Sequence, residues 1–229
     1  MRAAAGEAIG LFGGSFDPVH NAHLGLAQAA LAALPLRLVR WLPNSVPGHR
    51  EGPQAGAAER LAMLELALGQ EPRFAIDQSE LWRSEPTYSI DTLRRLRLEL
   101  GMHVPLVFII GADHLLALDR WHHWEELFNL THFAIAERPG HEIRETTMTG
   151  EVAAQLSRRS AAADTIGTSP CGCMVRFPCP PLDISSTAIR GKLAARNGAV
   201  DTALEKLCEL LPAAVLDYIQ SRNLYRNNT

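Results

Sequence analysis

Short, almost wholly apolar runs alternate with amphipathic stretches of helical length, and this alternation constrains the fold more than any other feature of the chain. "AIGLF" from Ala8, "LRLVRWLP" from Leu36, "RFAID" from Arg73, "VPLVFIIGAD" from Val104 and "HFAIAERPG" from His132 read as strands, the last stopping at a Pro-Gly turn. Between them, Ala22 to Leu34, Ala57 to Leu68 and Ser89 to Leu100 read as helices. In the third of these, Ile90, Leu93, Leu96 and Leu100 fall on one face. Strand and helix in turn predict an α/β fold, a Rossmann-like doubly wound parallel sheet covered on both faces. The expected organisation is a single domain over residues 1–229 with C-terminal helices in 199–225, the last starting at Pro212. Residues 142–173 are polar and lack a clear period, so they read as a surface insertion with a short helix around Glu151 to Arg158. Such sheets bind ligands beyond the carboxyl ends of their strands, near the reversal of strand order. The loops at Gly13, Pro43, Asp113 and Arg138 belong on that edge.

Composition narrows the partners. The 229 residues are 47% hydrophobic and 21% charged, ordinary for a globular domain, and the net charge of −3 offers no field for nucleic acid. An anionic ligand must then be held by a few placed groups. No apolar stretch approaches the ~20 residues of a membrane span, and "MRAAAGEAIGLFGG" makes a poor secretory signal. Cys171, Cys173, Cys179 and Cys208 do not suggest a disulfide framework, and the spacing of the first three fits no common zinc pattern. The expectation is a cytoplasmic protein without membrane contact, a monomer or homodimer.

Two stretches could carry chemistry. In "GGSFDPVHNAHLG", Gly13 and Gly14 allow the backbone to approach a ligand, Pro18 stiffens the turn, and Asn21 is placed to cap the following helix. His20 and His23 lie three apart in a first helical turn, on one side of a helix N-terminus that favours phosphate. Protonated, they would donate more strongly still. Taken alone, the stretch is equally compatible with a plain turn. Histidines at this spacing can also ligate zinc, but no third ligand is near and "HExxH" is absent. Neither "GxxxxGK[ST]" nor "GxGxxG" occurs here, which disfavours a P-loop enzyme or an ordinary dehydrogenase. In "DISSTAIRGKL", Ser185, Ser186 and Thr187 stand at a helix start with Arg190 a turn later, a second anion site or a simple cap. Two such sites in one sheet could grip a polyphosphate from both ends.

"GGSFDPVHNAH" and "ISSTAIR" resemble the first and last signatures of the nucleotidyltransferases with a dinucleotide-binding-like fold, and within them the bacterial nicotinate-mononucleotide adenylyltransferases. "PTYSIDTL", "FIIGADHLLALDRWHHWEEL", "ERPG" and "VLDYIQSRNLYR" extend the resemblance over nearly the whole chain. Ala22 replaces the usual glycine between the histidines, and "PNSVPGHR" departs from the usual Pro-Pro-His-Lys form. The resemblance implies transfer of AMP from ATP to nicotinate mononucleotide, releasing pyrophosphate in the making of NAD. It places His20 and His23 on the moving charge. Gly13, Gly14, Ser15, Phe16, His49, Arg50, Gly111, Asp113, Ser185, Ser186 and Arg190 are placed on ATP. Ser15, Asp17, Ser89, Trp121 and His122 are placed on the mononucleotide, with Trp121 stacking on the pyridine and Trp124 in the core. Mg²⁺ would ride on the triphosphate. The alternatives are adenylyl transfer to nicotinamide mononucleotide or phosphopantetheine, or a nucleotide-binding regulator without catalysis.

Overall fold

The computed structural model describes residues 8–45, 52–69, 71–137, 147–180, 184–195 and 207–226. His49 and Arg50 therefore lie outside the described residues. Six strands form one parallel sheet: β1 (Ala8–Gly14), β2 (Leu36–Pro43), β3 (Phe74–Ile76), β4 (Leu106–Gly111), β5 (His132–Glu137) and β6 (Met174–Pro178). Their order is β3-β2-β1-β4-β5-β6, so the direction of winding reverses between β1 and β4. The helices are α1 (Asn21–Ala33), α2 (Ala57–Leu68), α3 (Ser89–Leu100), α4 (Ala112–Leu116), α5 (Trp124–Leu127), α6 (Gly150–Arg159), α7 (Ser186–Ala194) and α8 (Ala213–Ser221).

Two apolar layers follow from the period-2 alternation of side chains along each strand. Val39, Val107, Ile109, Ala134 and Val175 face one side, where Ala27 and Ala30 of α1, Met63 and Leu64 of α2, Ile189 of α7 and Val215 of α8 cover them. Ile9, Leu11, Phe108, Ile110, Phe133 and Ile135 face the other, against Leu93 and Leu96 of α3 and Leu115 of α4. Every central strand is thus buried on both faces, which is why its sequence reads as a continuous apolar run. Gly10 sits in a tightly packed place between the strands: a Cβ there would stand 3.1 Å from Leu36, Val39 and Ile109 side chains.

The stretch read as a surface insertion is partly core. Val152 and Leu156 of α6 join the second layer, Ile166 joins the first, and Ser160 bridges Met174 as β6 begins. The i, i+4 pair Val152 and Leu156 is too short a pattern to stand out among polar neighbours, yet it buries two whole side chains, about 1.5–3 kcal/mol each. In α8, capped by Pro212, Val215, Leu216 and Ile219 are buried in the first layer, and the chain then continues to Tyr225 beside the loop after β1.

Candidate active site

β1 and β4 are neighbours in the sheet but leave it toward opposite sides, so the loops that follow them flank a crevice at the carboxyl edge. The loop after β1 carries residues 13–20 into the N-terminus of α1. Its backbone is over-determined. Phe16 is held at φ 47, a left-handed conformation costly for an aromatic residue, and a Cβ on Gly14 would come within 3.0 Å of its ring. Arg60 of α2, 2% exposed, donates from one Nη1 to the carbonyls of Ser15 and Asn44, both at 2.7 Å. It pins the loop to the end of β2. Gly13, by contrast, is exposed, and a Cβ there would meet only the Phe108 ring at ordinary contact distance. Packing does not require a glycine at that position; close approach of a ligand would.

His20, not Asn21, caps α1, and Asn21 instead donates from Nδ2 to the carbonyl of Glu209 at 2.9 Å. The His20 and His23 rings stack with centroids 3.7 Å apart, and Phe16 stands edge-on to His23 at 5.1 Å. The backbone N–H of His20 donates to Nδ1 of His23 at 3.3 Å, so the ring proton of a neutral His23 sits on Nε2. His20 is 3% exposed, and its Nδ1 has no partner among the described residues. Burial pushes the His20 imidazole down to about 4; burial and the charge of its neighbour hold His23 well below the usual range. In the free protein the two rings are thus neutral N–H donors, because desolvation disfavours the charged imidazolium.

The second motif meets the first. Ser186 Oγ donates to the carbonyl of Pro18 at 3.0 Å, and Arg190 Nη1 donates to the carbonyl of Asp17 at 2.7 Å. The N-termini of α1 and α7 are thereby brought to one place, although the motifs are 168 residues apart. Ser185 Oγ is occupied in capping α7, accepting from the Ala188 N–H at 3.2 Å, and Arg190 Nη2 reaches Thr187 Oγ1 at 3.4 Å. The Arg190 guanidinium stands at the same point, and its Nε is buried without a partner among the described residues.

Asp17, expected on the mononucleotide, is turned inward. It is 2% exposed and accepts from Gln54 N–H at 2.7 Å, Ala55 N–H at 3.1 Å and the Tyr225 hydroxyl at 2.7 Å. A carboxylate with its lone pairs so engaged is part of the scaffold. Arg60 and Tyr225 both hold this loop, and neither stands out as a site residue in the sequence. An arginine three and four residues before Met63 and Leu64, on the buried face of α2, is the only sign for Arg60; no local sign exists for Tyr225.

Across the crevice, Gly111 caps α4 and Asp113 is exposed. A hydrogen bond from His114 holds the Asp113 carboxyl down to about 2. Trp121 packs edge-on to Phe108 at 5.7 Å and to His114 at 6.1 Å. Trp124, expected in the core, is only half-buried, as Trp121 is, with its edge contact on Phe128 at 6.1 Å. Burial therefore does not separate the two rings. Exposed His122 lies 4.7 Å from the Tyr88 ring, which draws the N-terminus of α3, where Ser89 is the first residue, beside the 121–124 turn. Among the described residues, no group of three His, Cys, Asp or Glu side chains could enclose a metal ion.

The N-termini of α1 and α7 and the stacked rings of His20 and His23 thus lie together at the switch point of a parallel sheet, the setting of a nucleotidyltransferase fold. Residues 11–192 match the model of the cytidylyltransferase-like family. The chain is 43% identical over 223 residues to a probable nicotinate-nucleotide adenylyltransferase of Dechloromonas aromatica, covering 97% of this chain and 99% of that one. It is 45% identical over 222 residues to a protein of the same name from Laribacter hongkongensis, covering 97% and 96%. The Plasmodium falciparum nicotinic acid mononucleotide adenylyltransferase, solved in complex with NaAD, shares the fold with a TM-score of 0.68 at 21% identity, over 96% of this chain and 97% of that one. The chain belongs to the cytidylyltransferase-like family and, within it, to the nicotinate-nucleotide adenylyltransferases.

Proposed function

We propose that the protein transfers the adenylyl group of ATP to nicotinate mononucleotide, giving nicotinate adenine dinucleotide and pyrophosphate. The observation that carries this is the meeting of the two motifs: Ser186 on Pro18 and Arg190 on Asp17 place two helix N-termini, two imidazoles and a guanidinium around one point beyond β1. A phosphate oxygen of the mononucleotide attacks the α-phosphorus of ATP. As that bond forms, the bond from the α-phosphorus to the bridging oxygen breaks, and pyrophosphate leaves with the negative charge. The protein needs to supply position and charge stabilisation only.

His23 Nε2–H and the His20 ring donate to the phosphoryl oxygens at the reacting centre, and because both rings are neutral and desolvated they cost little reorganisation. Backbone N–H groups from Gly13 to Phe16 and the first turn of α7 receive the β- and γ-phosphates with Arg190. Gly111 and Asp113 meet the ATP ribose. Trp121 stacks on the pyridine ring, and the backbone N–H groups near Ser89 and His122 receive its carboxylate. Mg²⁺ carried on the triphosphate would neutralise part of its charge. No helix among the described residues is long and apolar enough to cross a membrane, and the reading assigns the enzyme to the cytoplasm.

A coupled pyrophosphate-release assay tests this with ATP, Mg²⁺ and, in parallel, nicotinate mononucleotide, nicotinamide mononucleotide or phosphopantetheine. The expected result is release with the nicotinate form and a kcat/KM at least tenfold lower with the amide. Release with phosphopantetheine alone would reassign the acceptor, and release with none would remove catalysis.

A further inference from the structure

Asp17 is the point at which four separate parts of the chain meet. It lies in the loop after β1; Gln54 and Ala55 lead into α2, Arg190 comes from α7, and Tyr225 follows α8. The carboxylate is almost fully buried, and its nearest cation is Arg190. Yet Arg190 Nη1 stands 3.6 Å from Asp17 Oδ2, while the same nitrogen is 2.7 Å from the Asp17 backbone carbonyl. A charge-assisted pair free to close would reach about 2.7–2.9 Å. The carboxylate is held by other donors instead. Two backbone N–H groups take one oxygen each, and the Tyr225 hydroxyl takes Oδ1 at 2.7 Å. Of these, the tyrosine is the only side chain. The Arg190 guanidinium is left half-committed, with Nε buried and unpartnered among the described residues.

We propose that Tyr225 is a positioning residue for the phosphate site: its hydrogen bond holds the Asp17 carboxylate off Arg190, so that the guanidinium stays available to an anionic ligand. Burial and the adjoining Asp17 carboxylate keep the Tyr225 hydroxyl protonated, and therefore a donor, across the working pH range. Without that hydroxyl, Oδ1 keeps only the Ala55 N–H at 3.1 Å, while Arg190 Nη1 stands 3.6 Å from Oδ2 of the same carboxylate. The carboxylate would turn toward Arg190. The arginine would then meet a triphosphate already neutralised, its geometry set by Asp17. Leu224 and Tyr225 pack against the first apolar layer, so the position of the hydroxyl is set by the core. The segment after α8 thereby acts on a site far from it in sequence.

This inference rests on the reading of the crevice as an ATP site, and two measurements on Tyr225→Phe keep the two apart. In the free protein, the side-chain Nε–H signal of Arg190 should move, and its solvent exchange should change, relative to the unsubstituted protein. With ligand, the Kd of a non-hydrolysable ATP analogue and the KM for ATP should rise about fivefold to tenfold, the loss of one hydrogen bond in a charged network. The KM for the mononucleotide should stay within about twofold. In an Arg190→Ala background, adding Tyr225→Phe should cost nothing further, because the residue through which it acts is gone. An unchanged Arg190 signal, or two losses that simply add, would overturn the link. Unsubstituted protein that binds no ATP analogue would overturn the ATP reading and the purpose assigned to Tyr225, while the Arg190 signal would still decide whether the link exists.

Discussion

The two rims of the crevice are built in opposite ways. On the β1 side, residues 16–20 are buried, Phe16 is held at positive φ, and Arg60, Ser186 and Arg190 each bond a loop carbonyl. On the β4 side, Asp113, His122 and Tyr88 are exposed, and the contacts are tilted or edge-on aromatic pairs 4.7 to 6.1 Å between centroids. The contrast separates two tasks. Charge that moves during a reaction is stabilised best by donors that need not reorganise, which suits the β1 rim to the phosphate role proposed for it. Recognition of a flat ring and a sugar needs surfaces open to the incoming ligand, which suits the half-exposed β4 rim to the mononucleotide and ribose roles proposed for it.

The sharpest break in this contrast would come from His23→Ala. Removing one preorganised donor from the rigid rim should lower kcat by about 10²–10³-fold with an unchanged circular dichroism spectrum; near-normal turnover would refute the role. Next in size is a pH effect confined to the same rim. Because burial lowers the His20 pKa to about 4, the unfolded chain binds a proton between pH 6.5 and 4 that the folded protein refuses. Stability is therefore full above about 6.5 and falls as the pH drops toward 4, by roughly 2–3 kcal/mol from this group. Urea unfolding of the protein and of His20→Gln should show the variant with the shallower acid slope; parallel slopes would place the destabilisation elsewhere.

On the open rim the effects should be smaller and selective. Trp121→Ala should raise the KM for nicotinate mononucleotide about tenfold, through lost stacking, and leave the KM for ATP within about twofold. A loss confined to ATP would exchange the assignments of the two rims. The mildest test concerns Ala22, half-buried in the first turn of α1 where relatives by resemblance carry glycine. Ala22→Gly should lower stability by less than about 1 kcal/mol and change kcat less than about twofold. A large gain in turnover would mean that the methyl group crowds the phosphates.

Local sequence made the fold legible because each of its signals is a periodicity. The apolar runs of β1, β2, β4 and β5 and the spacing of Ile90, Leu93 and Leu96 in α3 report burial directly. The same rule fails where burial is sparse. Val152 and Leu156 hold α6 to the core within an otherwise polar stretch, and two residues make too faint a pattern to read. The residues that the fold brings together at the crevice were legible where they crowd into a motif, as at His20, His23, Ser186 and Arg190. They were illegible where a residue works through a distant contact. Asp17 looks like a ligand in "GGSFDP" but spends its lone pairs on Gln54, Ala55 and Tyr225. Arg60 belongs to no motif and holds two loop carbonyls.

Sequence by itself therefore determined the alternation of strand and helix, the parallel sheet, and the residue types that could face a phosphate, because all three are written in spacing and composition over a few neighbouring positions. Only the tertiary structure decided that the two motifs share one point, that the histidines are neutral, and that Asp17 belongs to the scaffold. Those outcomes depend on burial and on partners up to 208 residues away, and neither desolvation nor a hydrogen bond across the fold leaves a local trace.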